Sequence, residues 1–170
     1  MRYIEFLRRV LRPLEMLGQA VPDFTLASTG RGSSSGTFTL SALRGEKLVL
    51  YFYPKDNTPG CTAEGSDFRD LHSEFRRAAT RVFGVSRDSA ASHERFKEKM
   101  RFPFELLADP DEAVCKQFGV MKLKTLYGKK VRGIERSTFV VDAKGVLARE
   151  WRGVKVPGHA QEVLNFVKAL

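Results

Sequence analysis

A run of six apolar residues, Leu48 to Tyr53 (LVLYFY), most constrains how this chain can fold. The run is far shorter than the roughly 20 residues a membrane-spanning helix needs. Its length and its Val, Tyr and Phe content suit a buried strand. Such a strand must be covered by other layers, and 170 residues with 42% hydrophobic content provide one good core rather than two. A single domain without stable membrane association is expected.

The flanking patterns alternate. VPDFTLAS and TFTLSAL, on either side of the tract Gly30 to Gly36, carry Phe24, Leu26, Phe38 and Leu40 at strand spacing and predict an N-terminal hairpin. Gly32 to Gly36 formally match G-x-S-x-G, but a nucleophile elbow needs a helix after it, and TFTL follows. After the apolar run, Thr62–Ala79 reads as a helix, Arg81–Ser86 as a strand and residues 89–100 as a helix. PFELLAD reads as extended, and PDEAVCKQFGV as a short helix opened by Pro110 and closed by Gly119. STFVVD and VLAREW form a hairpin around Ala143–Gly145, and residues 160–170 a last helix. The alternation predicts an α/β layered domain, a mixed sheet with helices on both faces.

Residues 1–15 form a basic amphipathic extension, with Arg2, Arg8, Arg9 and Arg12 between apolar positions at helical spacing; the domain proper is expected over 16–170. Arg8 and Arg9 interrupt any secretory apolar segment, and Met16 is an alternative start. The extension is expected to pack on its own domain rather than on a membrane surface.

Net charge is +9. Between Lys116 and Arg136 seven basic residues face one acid, Glu135, which predicts a solvated basic loop or an electropositive rim. No aromatic-interleaved basic motif accompanies it, so no nucleic-acid partner is expected. Two cysteines, Cys61 and Cys115, are too few for a disulfide-stapled fold and fit a reducing, cytoplasmic setting. His72, His93 and His159 are scattered, neither cysteine has a second ligand at zinc-site spacing, and no metal is expected.

Cys61 stands where the strand ends and a helical pattern begins. Nucleophilic cysteines act as thiolates, which a helix N-terminus or a nearby cation favours, and the junction aims unpaired N–H groups and the positive helix end toward Cys61. Pro59 restricts the turn and Gly60 leaves room for a second molecule. Thr58 and Glu64, three residues to either side, can turn a hydroxyl and a carboxylate to the same spot. From these residues alone Cys61 is either a reactive thiol or a small buried spacer.

Pro54-x-x-x-Thr58-x-x-Cys61 has the form P-x-x-x-T-x-x-C and resembles the peroxiredoxins, in particular the bacterioferritin comigratory or Q-type group. PDFTL at Pro22 to Leu26, FRDL at Phe68 to Leu71 and YGKKVRGIERSTFVVD at Tyr127 to Asp142 extend the likeness over about 20–165. The resemblance implies a thioredoxin-like three-layer fold and a thiol peroxidase that needs no cofactor. Cys61 would be the peroxidatic nucleophile and Pro54 its shield; Thr58 would hydrogen-bond to sulfur and peroxide, and Arg136 would stabilise the thiolate and polarise the peroxide.

Many Q-type members carry a resolving cysteine five residues after the first; here that position is Ser66. Cys115 is the other candidate, disfavoured because Val114 and Phe118 beside it suggest core packing. A one-cysteine cycle is therefore expected, with thioredoxin or glutathione and glutaredoxin supplying the thiol to a monomer or weak dimer. The rival readings are a scaffold that has lost its chemistry, and a thiol-disulfide oxidoreductase, which would need a cysteine where Glu64 stands.

Overall fold

The computed structural model describes residues 16–30 and 36–170. The extension over 1–15 and the centre of the Gly30–Gly36 tip lie outside the described residues.

The N-terminal hairpin pairs β1 (Thr25–Ser28) with β2 (Gly36–Thr39), and a 3-10 turn at Leu40–Leu43 ends the segment that the pattern predicts as continuing strand. Next come β3 (Lys47–Phe52), α1 (Pro59–Asp70), α2 (His72–Arg77), β4 (Thr80–Ser86), α3 (Ala90–Met100) and β5 (Glu105–Ala108). The chain continues through α4 (Ala113–Gln117), β6 (Met121–Leu126), β7 (Lys129–Ile134), β8 (Ser137–Val141), β9 (Leu147–Arg152) and α5 (His159–Ala169). Seven strands form one mixed sheet in the order β2-β1-β5-β4-β3-β8-β9. β3, β4 and β5 run parallel, while β8 and β9 are antiparallel to their neighbours.

β3 lies inside this sheet, and its side chains alternate between two cores. Leu48, Leu50 and Phe52 face one core, with Val114, Cys115 and Phe118 around α4 and Phe38 of the hairpin. Val49, Tyr51 and Tyr53 face the other, with Phe68 of α1, Phe75 of α2, Phe96 of α3 and Val163, Leu164 and Val167 of α5. Helices thus cover both faces, as the alternation of elements predicts.

Three local expectations need correction. The helix expected over Thr62–Ala79 begins at Pro59 and breaks at Leu71, whose ψ of 1° interrupts the helical backbone before α2. The short helix after Asp109 starts at Ala113 rather than at Pro110. Glu112 takes a left-handed φ of 62°, and the Asp109 carboxylate accepts the amides of Val114 and Cys115 at 3.3 and 2.7 Å. The segment read as a basic loop holds the hairpin β6–β7, in register from Met121↔Ile134 to Leu126↔Lys129. Its two-residue turn, Tyr127 and Gly128, has positive φ at both positions, which matches the twist of the flanking strands. Lys122 and Lys124 alternate with Met121 and Leu123 as in a strand, yet Leu123 and Leu126, on opposite faces, are both exposed, so beyond Met121 neither face of β6 is covered.

Gly65 on α1 is a point where packing overrides helix propensity. A Cβ there would lie 2.9 Å from Phe102 Cε1 and closer still to Cζ. That ring cannot yield, because it stacks on Phe104 at 4.9 Å and meets Phe96 edge-on at 5.1 Å. Gly65→Ala should therefore destabilise the protein by about 1–3 kcal/mol, against the roughly 1 kcal/mol gain usual for such a helical exchange. The urea midpoint checks the sign.

Candidate active site

The loop after β3 carries Pro54 to Thr58 and turns into α1, with Thr58 as N-cap residue and Pro59 as the first helical residue. Cys61 is third in the helix. The first helical amide with an intrahelical acceptor is that of Thr62, which donates to the Thr58 carbonyl at 2.8 Å. The Gly60 and Cys61 amides precede it, at the positive end of the helix. Cys61 is 2% exposed.

Arg136, 75 residues later in sequence, reaches the same place through the sheet. Antiparallel pairing sets Ser137 of β8 beside Phe52 of β3, so the residue before Ser137 emerges where the β3 chain turns toward α1. Its Nη2 donates to Cys61 Sγ at 3.5 Å and its Nη1 to Glu64 Oε1 at 2.7 Å. Cys61 and Glu64 lie three residues apart on one helix face, so one guanidinium bridges both.

The charges are strongly coupled to burial. Burial raises Glu64 to about 7 although Arg136 opposes the shift; its second oxygen, Oε2, has no hydrogen-bond partner. Burial by itself would pull Arg136 down, but Glu64 and then Cys61 outweigh it and hold the guanidinium above its ordinary value. Tyr51, stacked on Phe68 at 4.7 Å, is fully buried with an unpartnered hydroxyl; burial and then Glu64 push its phenol up, so it stays protonated. Tyr51 opens the stretch YFYPKDNTPGCTAE that resembles the peroxiredoxins, but its apolar neighbours disguise it as another core aromatic and no role attaches to it from sequence.

Other expected residues are placed as follows. Thr58 Oγ1 donates to the Lys55 carbonyl at 2.8 Å, so its proton is committed within the loop and not to sulfur. The space left by Gly60 holds the Arg136 guanidinium: a Cβ there would be 3.0 Å from Nη2. Pro54 is half-buried on the loop two residues beyond β3. Ser66 Oγ bonds the Thr62 carbonyl at 2.8 Å. Cys115 is fully buried in the core on the opposite sheet face from Cys61. Burial, reinforced by the Asp109 carboxylate, pushes the Cys115 thiol up.

Residues 17–150 match the AhpC/TSA family. Peroxiredoxin Bcp of Xanthomonas campestris pv. campestris is 54% identical over 137 residues, 80% of this chain and 86% of the relative. The chain belongs to the AhpC/TSA family, among its Bcp-type peroxiredoxins. A putative peroxiredoxin bcp of Coxiella burnetii is 49% identical over 149 residues, 88% of this chain and 96% of the relative. A solved structure of Xanthomonas campestris peroxiredoxin Q superposes with TM-score 0.80 at 50% identity, covering 86% of this chain and 90% of the other. The fold is accordingly the thioredoxin-like fold of peroxiredoxins. Among the described residues no helix is long and apolar enough to cross a membrane.

The raised Glu64 has a measurable consequence for this peroxiredoxin. Its folded value of about 7 lies above the ordinary 4.5, so the fold prefers the protonated form. The stability this confers is complete below about pH 4.5 and is lost as pH rises through about 7. The loss is on the order of 3 kcal/mol. Glu64→Gln should remove most of that decline, seen as a smaller gap between urea stabilities at acidic and neutral pH.

Proposed function

We propose that the protein is a thiol-dependent peroxidase that reduces hydrogen peroxide and organic hydroperoxides through Cys61, in a one-cysteine cycle. The observation that carries this reading is the Arg136 guanidinium at 3.5 Å from a cysteine sulfur held in the first turn of α1. A study of the Xanthomonas campestris bacterioferritin comigratory protein addresses its alkyl peroxide reduction activity from trapped intermediates, and the 49% identity supports the same chemistry here.

The Cys61 thiolate attacks one peroxide oxygen; the S–O bond forms as the O–O bond breaks. The departing oxygen takes a proton and leaves as water or an alcohol, with Cys61 as a sulfenic acid. Negative charge grows on the departing oxygen, and Arg136 and the helix-opening amides are fixed donors suited to stabilise it. Glu64 orients Arg136 rather than touching the reacting atoms. Pro54 restricts water at the sulfur. Thr58 can donate to a bound peroxide only by releasing the Lys55 carbonyl.

An external thiol then attacks the sulfenic sulfur and water leaves. A second thiol breaks the resulting mixed disulfide and restores Cys61. Several features support an external source. Ser66 occupies the local resolving position, and Cys115 sits across the sheet with a thiol disfavoured as thiolate. The Xanthomonas structures include serine variants at two cysteines; the same spacing counted from Cys61 reaches Lys97, which is ion-paired to Glu105. Thioredoxin, or glutathione with glutaredoxin, would supply the thiols in a reducing cytoplasm, to a monomer or weak dimer.

The intact mass after one equivalent of hydrogen peroxide tests this. Wild type and Cys115→Ser should each gain one oxygen that a sulfenate trap captures, and Cys61→Ser none. Loss of two hydrogens requiring both cysteines would make Cys115 a resolving thiol, and no reaction would favour the inactive-scaffold reading.

A further inference from the structure

A second cluster of titratable groups lies behind the Cys61 loop. His93 of α3 is completely buried. Its Nε2 lies 2.9 Å from the Leu107 carbonyl of β5, which can only accept, so Nε2 carries a proton. Its Nδ1 lies 2.7 Å from Asp56 Oδ2. One further proton must bridge that contact, whether it belongs formally to the imidazole or to the carboxyl.

Asp56 belongs to the loop between β3 and α1, five residues before Cys61. Its Oδ1 accepts the Tyr53 hydroxyl at 2.6 Å and its Oδ2 the Ser92 hydroxyl at 2.8 Å. Its amide donates to Asp88 Oδ2 at 2.9 Å, which also accepts the Ser86 hydroxyl at 2.6 Å. Asp56, Asp88 and His93 place ligand atoms within 4.8 Å of one another, the spacing of a cation site. Nearly every one of those atoms already accepts or donates a hydrogen bond, so the cluster is complete through protons alone. Asp56, Tyr53, Asp88 and Ser92 are the polar side chains that face His93. No lysine or arginine among the described residues bonds to the cluster. Burial pushes the Tyr53 phenol up, which keeps it a donor.

Resting on the reading of Cys61 as nucleophile, we propose that Asp56 and His93 are positioning residues whose shared proton clasps the catalytic loop to α3 and β5. While the proton is present, the loop is tied to the helix beside it and α1 starts at a fixed point. Its loss leaves a lone pair facing a carboxylate at 2.7 Å in a buried site, and the clasp opens. Breaking the clasp should then slow the reaction of Cys61, although neither residue touches substrate.

The test is the single-turnover rate of Cys61 oxidation by hydrogen peroxide at neutral pH, with thermal midpoints recorded alongside. His93→Ala and Asp56→Ala should slow it about 10–100-fold, the usual effect of misplacing a reacting group by about an ångström. Asp56→Asn is the deciding variant. Its amide can donate to a neutral Nδ1 and its carbonyl can accept the Tyr53 hydroxyl, so most of the rate should return. If Asp56→Asn is as slow as Asp56→Ala, or the folded alanine variants react as fast as wild type, the clasp is overturned. A wild type unreactive toward peroxide would instead overturn the peroxidase reading and the clasp with it.

Discussion

The two-sided burial of β3 is the constraint from which the rest of the structure follows. Every side chain from Leu48 to Tyr53 is buried, and strand geometry sends them alternately to two cores. A shift of one residue in register would exchange the two sets, setting Tyr51 and Tyr53 among the residues around α4. The same alternation fixes where the loop leaves the sheet, and so the position at which α1 begins. Cys61 inherits its surroundings from that point: helix-opening amides, the Tyr51 ring and the end of β8.

The β3–β8 register adds the charge. A guanidinium placed by a loop would spend binding energy on becoming ordered; Arg136 is set one residue from a central strand and held by Glu64. Glu64 is almost fully buried and keeps one oxygen unpartnered, an arrangement that is costly unless the pair serves to aim the arginine. In the proposed cycle, donors fixed before reaction would need no reorganisation as charge moves from sulfur to the departing oxygen.

Much of this is legible in the sequence where one residue type has one physical use. The apolar run announces a buried strand and the i, i+3 spacing of Cys61 and Glu64 a shared face, whereas the helix, expected from Thr62, begins three residues earlier at Pro59. The proximity of Arg136 is not readable from local pattern, because the pairing of β3 with β8 brings it to a cysteine 75 residues away in sequence; the family resemblance supplies it. The β6–β7 hairpin alternates apolar and lysine residues over Met121–Lys124 as a strand would, but the dense basic run around it reads as a solvated loop. Thr58 and Gly60 show the finer limit. Each lies at the expected place, yet the hydroxyl turns to Lys55 and the glycine makes room for Arg136, outcomes decided by rotamers and neighbours rather than by spacing.

The two cysteines show how the fold bears on the redox cycle. A disulfide requires Cα atoms within about 7 Å, and a sheet separates Cys61 from Cys115. Bringing them together would mean dismantling α1 or α4, each anchored by fully buried aromatics such as Phe68 and Phe118. Meanwhile Ser66 bonds within α1, and Lys97 ties α3 to Glu105 of β5 through both carboxylate oxygens at 2.8 and 2.7 Å. Glu105 also accepts the Thr29 hydroxyl. Lys99 of α3 reaches Asn57 of the loop at 2.6 Å. Of these contacts Lys99 fastens the loop to α3, and none offers a thiol to it. A cycle resolved from outside needs no helix to unfold, and a site that need not unfold can keep its donors fixed through every turnover.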